Sequence, residues 1–244
     1  VNPEARITNP SLGVDNWVYC SNAGSEGKIT SPKFPQQPPV LIRGSDFRFH
    51  PIKGLAERSS GPAQYGLTID DWNNRFISQN TTHLRHAVIP MEYLGRAPAF
   101  DPGALAHDLY PPSRRPAPMF PLTQPQAWRR ARTDVRQRRY NENQLNRTEY
   151  VGGYITGASG GTLYMGDVFP REYWGNVFTG DVSANLVRRD IVTPEGVTFT
   201  ARPAQEKVES RASSAVGSRP AHSATPPDGT WYPPYLIRQF IETP

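Results

Sequence analysis

Cysteine is nearly missing from this 244-residue chain, in which Cys20 stands alone. A single cysteine excludes an internal disulfide, a CxxC metal site and a CxxCH haem attachment. Its place after a strand pattern makes a small buried hydrophobe its default role. Long apolar runs are missing too, and none approaches the length of a membrane span. No signal peptide opens the sequence, and with Val1 in first place the expectation is that the true N-terminus lies upstream. Lysine is scarce: only four of the 27 basic residues are lysines, at 28, 33, 53 and 207. The formal charge is +5 with a pI near 9.4. The excess is local, so a solvated basic loop accounts for it better than a nucleic-acid surface.

Proline (26) and glycine (20) are abundant, which disfavours long helices. Hydrophobic content is 36% and mean hydropathy −0.61, yet aromatics reach 11%, enough with β-branched residues to fill a sheet core. The segment Gly175–Val192 reads as strand, polar turn, strand. Thr193–Gly196 is expected to turn the chain into a third strand over 197–202. Its opening phrase recurs: Asp15–Tyr19, Asn74–Ser78, Asn176–Thr179 and Asp228–Tyr232 each set a polar turn before an alternating strand. Their aromatics stand at 17, 76, 178 and 231, the middle gap being about twice the others. A unit of roughly 40–50 residues holding four strands is the size of a β-propeller blade.

The resulting expectation is an all-β fold, a β-propeller of four-stranded antiparallel blades present as an incomplete fragment. Residues 1–204 supply the blades, with strands near 17–20, 40–43, 46–50, 65–71, 75–79 and 85–89. A Pro/Arg-rich excursion at about 97–149 holds the one helix, Gln126–Arg139, and sheet grammar resumes over Tyr150–Thr156. Residues 205–227 read as a low-complexity linker or aberrant segment, and 228–244 as the start of a further blade.

Several stretches carry a family resemblance: Gly13–Tyr19, Gly27–Lys33, Arg43–Phe49, Gly66–Phe76, Asn80–His86, Tyr154–Asp167 and Tyr173–Arg189, with Arg238–Glu242 fitting a later position. Over roughly residues 5–203 the chain resembles a bacterial family of membrane-bound dehydrogenases. Their N-terminal domain is a β-propeller related to the soluble glucose/sorbosone dehydrogenases. The resemblance implies an exported, periplasmic oxidoreductase acting on a sugar or alcohol. It also implies pyrroloquinoline quinone and calcium as cofactors, and a cytochrome c as electron acceptor. Two departures stand out: the family carries a histidine where Arg188 stands, and 205–227 and 233–237 leave the pattern.

On that resemblance His83 or His86 is the base that takes the substrate hydroxyl proton, a role suited to a side chain titrating near neutrality. Arg85 or Arg75 would bind the quinone carboxylates as a planar fork. Asp70, Asp71 and Asp181, or Asp167, would offer oxygen ligands to calcium, although Gly166-Asp167 and Gly180-Asp181 are equally ordinary turn chemistry. Gly157–Gly161 is a literal G-x-S-x-G, but the elbow it names needs a strand before and a helix after. A strand is expected at Thr162–Gly166, so a turn between strands is the better reading. The arginines of 128–139 lack interleaved aromatics for base stacking. The alternative to catalysis is a propeller that binds glycans or protein partners without reacting with them.

Overall fold

In the computed structural model, residues 6–97, 99–101, 103–111, 116–212, 220–225 and 228–231 are described. They are mostly β. The first sheet holds β1 (Thr8–Leu12), β2 (Val18–Ser21), β5 (Asp46–Phe49) and β6 (Ala56–Ser59) in the order β1-β2-β5-β6. A small hairpin, β3 (Lys28–Ile29) with β4 (Val40–Leu41), is inserted between its second and third strands. The second sheet is the meander β7 (Gly66–Ile69), β8 (Arg75–Ser78), β9 (Arg85–Ala87), β10 (Ala106–Asp108). The third is the meander β11 (Ala158–Leu163), β12 (Asn176–Asp181), β13 (Leu186–Glu195), β14 (Thr198–Pro203), with β15 (Arg211–Ala212) beside the start of β13. Every strand pairing is antiparallel. Among the described residues the α-helices are α1 (Met91–Leu94) and α2 (Ala127–Glu142), with a 3-10 turn at Arg171–Tyr173. No helix among the described residues is long and apolar enough to cross a membrane.

The recurring aromatic phrase marks the second strand of each sheet. Trp17 immediately precedes β2, Phe76 lies in β8 and Phe178 in β12. Because successive side chains of a strand point to opposite faces, each second strand feeds two cores. Tyr19 and Ile77 meet between the first and second sheets, Phe76 and Val177 between the second and third. Cys20 faces the β3–β4 hairpin beside Ile42 and Phe47, and Phe178 joins an outer aromatic layer with Tyr164. Cys20 is thus the buried hydrophobe expected of it. A strand apolar on both faces is what a stack of sheets requires, and β8 and β12 are buried throughout.

The sheets are also joined by hydrogen bonds near their first strands. Gly160 N donates to Tyr65 O (2.6 Å) and Ala158 N to Asn80 O (3.0 Å), tying the third sheet to the second. Leu163 N donates to Thr68 Oγ1 at 3.1 Å. Toward the first sheet, Thr8 Oγ1 donates to Gln64 O at 3.0 Å and Ser11 Oγ to Leu67 O at 3.3 Å.

Seven expectations are corrected. The Pro/Arg-rich excursion is not outside the sheets, since its residues 106–108 form β10, paired with β9. Tyr150–Thr156 holds only an isolated bridge, Tyr154 with Pro118. Gly157–Gly161 is not a turn: β11 runs through Ser159 with a register irregularity, and Gly160 adopts φ +56°. Thr193–Glu195 continues β13, and the turn falls on Gly196 and Val197, where Gly196 has φ +59°. Within the expected linker, β15 pairs with β13, and Pro220 and Ser223 accept hydrogen bonds from Ser159 Oγ and Thr162 Oγ1 at 3.0 and 2.8 Å. Helix α2 takes Gln126 as its N-cap and runs three residues beyond Arg139. Asp228–Trp231 forms no strand, and 232–244, with the motif at 238–242, lies outside the described residues.

Asp46, on β5, is fully buried. Its Oδ1 accepts Asn22 N at 3.0 Å and Ala63 N at 2.9 Å, while Oδ2 has no partner. Burial pushes its pKa up to about 7, against the pull of those two amides and of Arg75. The folded state therefore keeps a proton that the unfolded chain releases near pH 4, so this group loses stability as pH rises from about 4 through 7. Asp46→Asn is expected to gain stability relative to the wild type between pH 5 and pH 8, read from urea melts at each pH. A pH-independent difference would disprove it.

Candidate functional site

His83 precedes β9 in the core between the second and third sheets. Its Nε2 lies 3.0 Å from Asp190 Oδ2. Asp190 Oδ1 accepts Arg188 Nε at 2.9 Å and also the Tyr110 hydroxyl. Arg188 donates further to Tyr110 Oη (2.8 Å) and Pro118 O (2.7 Å), and its Nη1 lies 3.6 Å from Glu209. Arg188 and Asp190 stand two apart on β13 and so share a face. Burial works against the Asp190 charge, but His83 and Arg188 with the Tyr110 hydroxyl outweigh it and hold the carboxyl below its usual range. Burial pushes the Tyr110 hydroxyl up, with Asp190 adding to it. Burial also raises Glu209 to about 7, although Arg188 and the Phe120 amide pull the other way.

His86 lies on β9, its Nδ1 3.0 Å from Thr198 Oγ1. Its ring sits 5.5 Å from Phe76 and 5.0 Å from Phe199. Burial lowers its pKa to about 4, so it is neutral at physiological pH. Arg85 is paired with Asp108 and donates to Ala106 O at 3.1 Å. Arg75 is buried against the first sheet, donating to Ser59 Oγ at 2.5 Å and lying 4.8 Å above the Tyr19 ring. The candidate bases thus share the interface of the second and third sheets but bond different partners, while Arg75 faces the first sheet and Arg85 is held at the β9–β10 edge.

The carboxylates hold turns. Asp70 Oδ1 accepts Trp72 N (3.0 Å) and Asn74 N (2.7 Å), and Oδ2 accepts Asn74 Nδ2 (2.8 Å). Asp181 Oδ2 accepts Thr156 N and Gly157 N at 3.0 Å each, and Oδ1 accepts Ser183 N (2.8 Å) and Ala184 N (3.0 Å). Asp71 is exposed beside Asp70. Lone pairs committed to backbone amides are not offered to a cation, and no group of three or more His, Cys, Asp or Glu that could hold a metal ion stands among the described residues. The donor set at Asp70, Asp71 and Asp181 does not fit calcium. Arg85, paired with Asp108, and Arg75, buried against Ser59 and the Tyr19 ring, do not fit a quinone tricarboxylate. In α2, Arg129 turns inward to Val151 O at 3.2 Å, while Arg130, Arg132, Arg138 and Arg139 are exposed.

One open feature is a cleft of about 510 Å³ between the second and third sheets, lined by Asp70, Trp72, Phe76, Met165, Trp174, Thr198 and Phe199 among others. Trp72 is 67% exposed, and its ring meets Trp174 at 6.1 Å and 90°. His86 backs this cleft through Phe76, Thr198 and Phe199. Sequence reasoning passed over Trp72 and Trp174, although an indole directly after an Asp-Asp turn is a signal of exposure. It also missed Tyr110, Asp190 and Glu209, which no local pattern links to His83.

No curated protein and no solved structure matches the chain. The family described as Domain of unknown function (DUF7133) matches residues 1–244. The match spans the whole chain, sheets and cleft alike, and the chain belongs to that family.

Proposed function

We propose that the three meanders are successive blades of a β-propeller, and that the molecule is a binding module whose ligand enters the cleft between the second and third blades. Consecutive four-stranded antiparallel sheets, packed face to face with β7 against β1 and β11 against β7, support the propeller reading. The exposed Trp72 over a cleft of about 510 Å³ carries the binding reading, since small-molecule sites are concave, mostly apolar and of about 300–1,000 Å³. A thermal-shift panel of neutral, anionic and cationic small molecules tests it. At least one class should raise the melting temperature of the wild type and not of Trp72→Ala. A panel inert toward both proteins refutes the proposal.

A second reading, oxidation of a sugar or alcohol with a quinone held by residues other than Arg75 and Arg85, rests on the 3.0 Å His83–Asp190 contact, the geometry of a base and its orienting carboxylate. A dye-linked oxidation assay with added quinone and calcium decides it. On this reading His83→Ala abolishes turnover; unchanged rates in both His83→Ala and His86→Ala discard it.

A further inference from the structure

The cleft has three properties that together narrow its ligand. Its walls are aromatic and mutually inclined: Trp72 and Trp174 at 90°, Phe76 and Phe199 at 63° with centroids 5.1 Å apart. Its charge is one-sided: Asp70 is the only charged residue among the described ones lining it, and no Lys, Arg or His does. His86, behind the phenyl rings, is neutral at physiological pH and adds no opposing charge.

The third property is a shortage of free hydrogen-bonding groups. Asp70 spends both oxygens on its turn, Asn74 gives its amide nitrogen to Asp70, and the Thr198 hydroxyl is engaged with His86. A sugar entering here would find the indole N–H groups of Trp72 and Trp174 and the amide oxygen of Asn74 as its side-chain partners, too few for its several hydroxyls. An anion would face Asp70. A cation whose charge is spread over methyl groups needs no hydrogen bonds, and aromatic faces attract it through their quadrupoles. A cation already stacks on one of these indoles, since Arg171, which does not line the cleft, lies 4.5 Å from the Trp174 ring centroid. Trp72 is the wall left open.

We infer that the cleft recognises a quaternary ammonium or multiply methylated amine head group, held by the indole of Trp72 with Trp174 and Phe199 and balanced by the carboxylate of Asp70. The inference rests on the binding reading above and names its ligand class.

The test titrates the full chain with choline, with its neutral isostere 3,3-dimethylbutan-1-ol, and with methyl glucoside, following ligand line-broadening by NMR. The expected result is saturable choline binding, weakened about tenfold for the isostere, and weakened by a similar factor in Trp72→Leu. Trp72 is exposed, so the leucine variant keeps the fold; coincident urea melts confirm that. Equal binding of choline and the isostere, lost in Trp72→Leu, overturns the cationic inference and leaves the binding cleft standing. Tighter binding of methyl glucoside overturns it in favour of a sugar. If no probe binds although a compound in the thermal-shift panel does, the ligand class is wrong and the cleft is right. If nothing binds in either experiment, both fall.

Discussion

Asp190→Ala is expected to lower the unfolding free energy by about 3–5 kcal/mol, the range seen when one partner of a buried ion pair is removed. Asp190 is 0% exposed and is the one carboxylate that touches His83, Tyr110 and Arg188 together. Alanine leaves the Arg188 guanidinium in the core, where Glu209 at 3.6 Å is its remaining acidic neighbour. It also leaves the Tyr110 hydroxyl and the His83 ring without their acceptor. The loss comes from stranding a charge and not from the worth of the pair itself, since well-packed apolar replacements of buried ion networks are often neutral. Asp190→Ala paired with Arg188→Met should therefore recover much of the loss. Urea denaturation of the single and double variants measures both. A single-variant loss under about 1 kcal/mol would show that solvent reaches the network. An arginine in this place suits a site with acceptors on several sides: Asp190, Tyr110, Pro118 and Glu209 surround one planar fork.

Gly66→Ala is expected to cost about 1–3 kcal/mol, the usual penalty for overpacking a core. A Cβ on Gly66 would lie 2.2 Å from Ser78 Oγ and 2.7 Å from Gly161 N. The serine can rotate away, but the amide belongs to the backbone of β11 and cannot, so the second and third sheets must separate. No left-handed backbone conformation is involved, because Gly66 is absent from the residues of positive φ. The penalty is steric alone. Ser78→Ala in the same chain should relieve only a minor part of it. A Gly66→Ala protein with wild-type urea midpoint would show that the sheets meet more loosely than the 2.7 Å approach implies.

Strands whose alternation and flanking turns agree were legible before the structure. The Asp-Asn-Trp and Asn-Arg-Phe phrases each announce a second strand, and the helix at 126–139 differs from the observed one by a few residues. What stayed hidden has physical causes. Ala106–Asp108 is a three-residue edge strand embedded in Pro- and Ala-rich chain, and pairing with β9 makes it a strand where its composition does not. Pro194 reads as a breaker, yet it stands opposite Phe199 near the end of a long hairpin. Pro220–Ser223 has little apolar content, but it docks because Gly160 and Gly180 leave room for its backbone. A Cβ on either glycine would lie within 2.4 Å of residues 220 or 222. The site was legible only as single residues. His83 could be named, but its partner lies 107 positions away and is found by folding alone.

The bonds that cross from Tyr65, Thr68 and Asn80 to β11 have a consequence for how the chain comes apart. Gly160 and Ala158 take their acceptors from a different sheet, and Leu163 takes a side-chain oxygen there. The third sheet therefore cannot peel away without giving up three bonds that lie outside its own ladder. Opening between the second and third sheets also exposes the shared core of Phe76, Leu163 and Val177, so the two are coupled in one cooperative block. The β3–β4 hairpin, paired only within itself by two residues on each strand, can fray while that block stays closed.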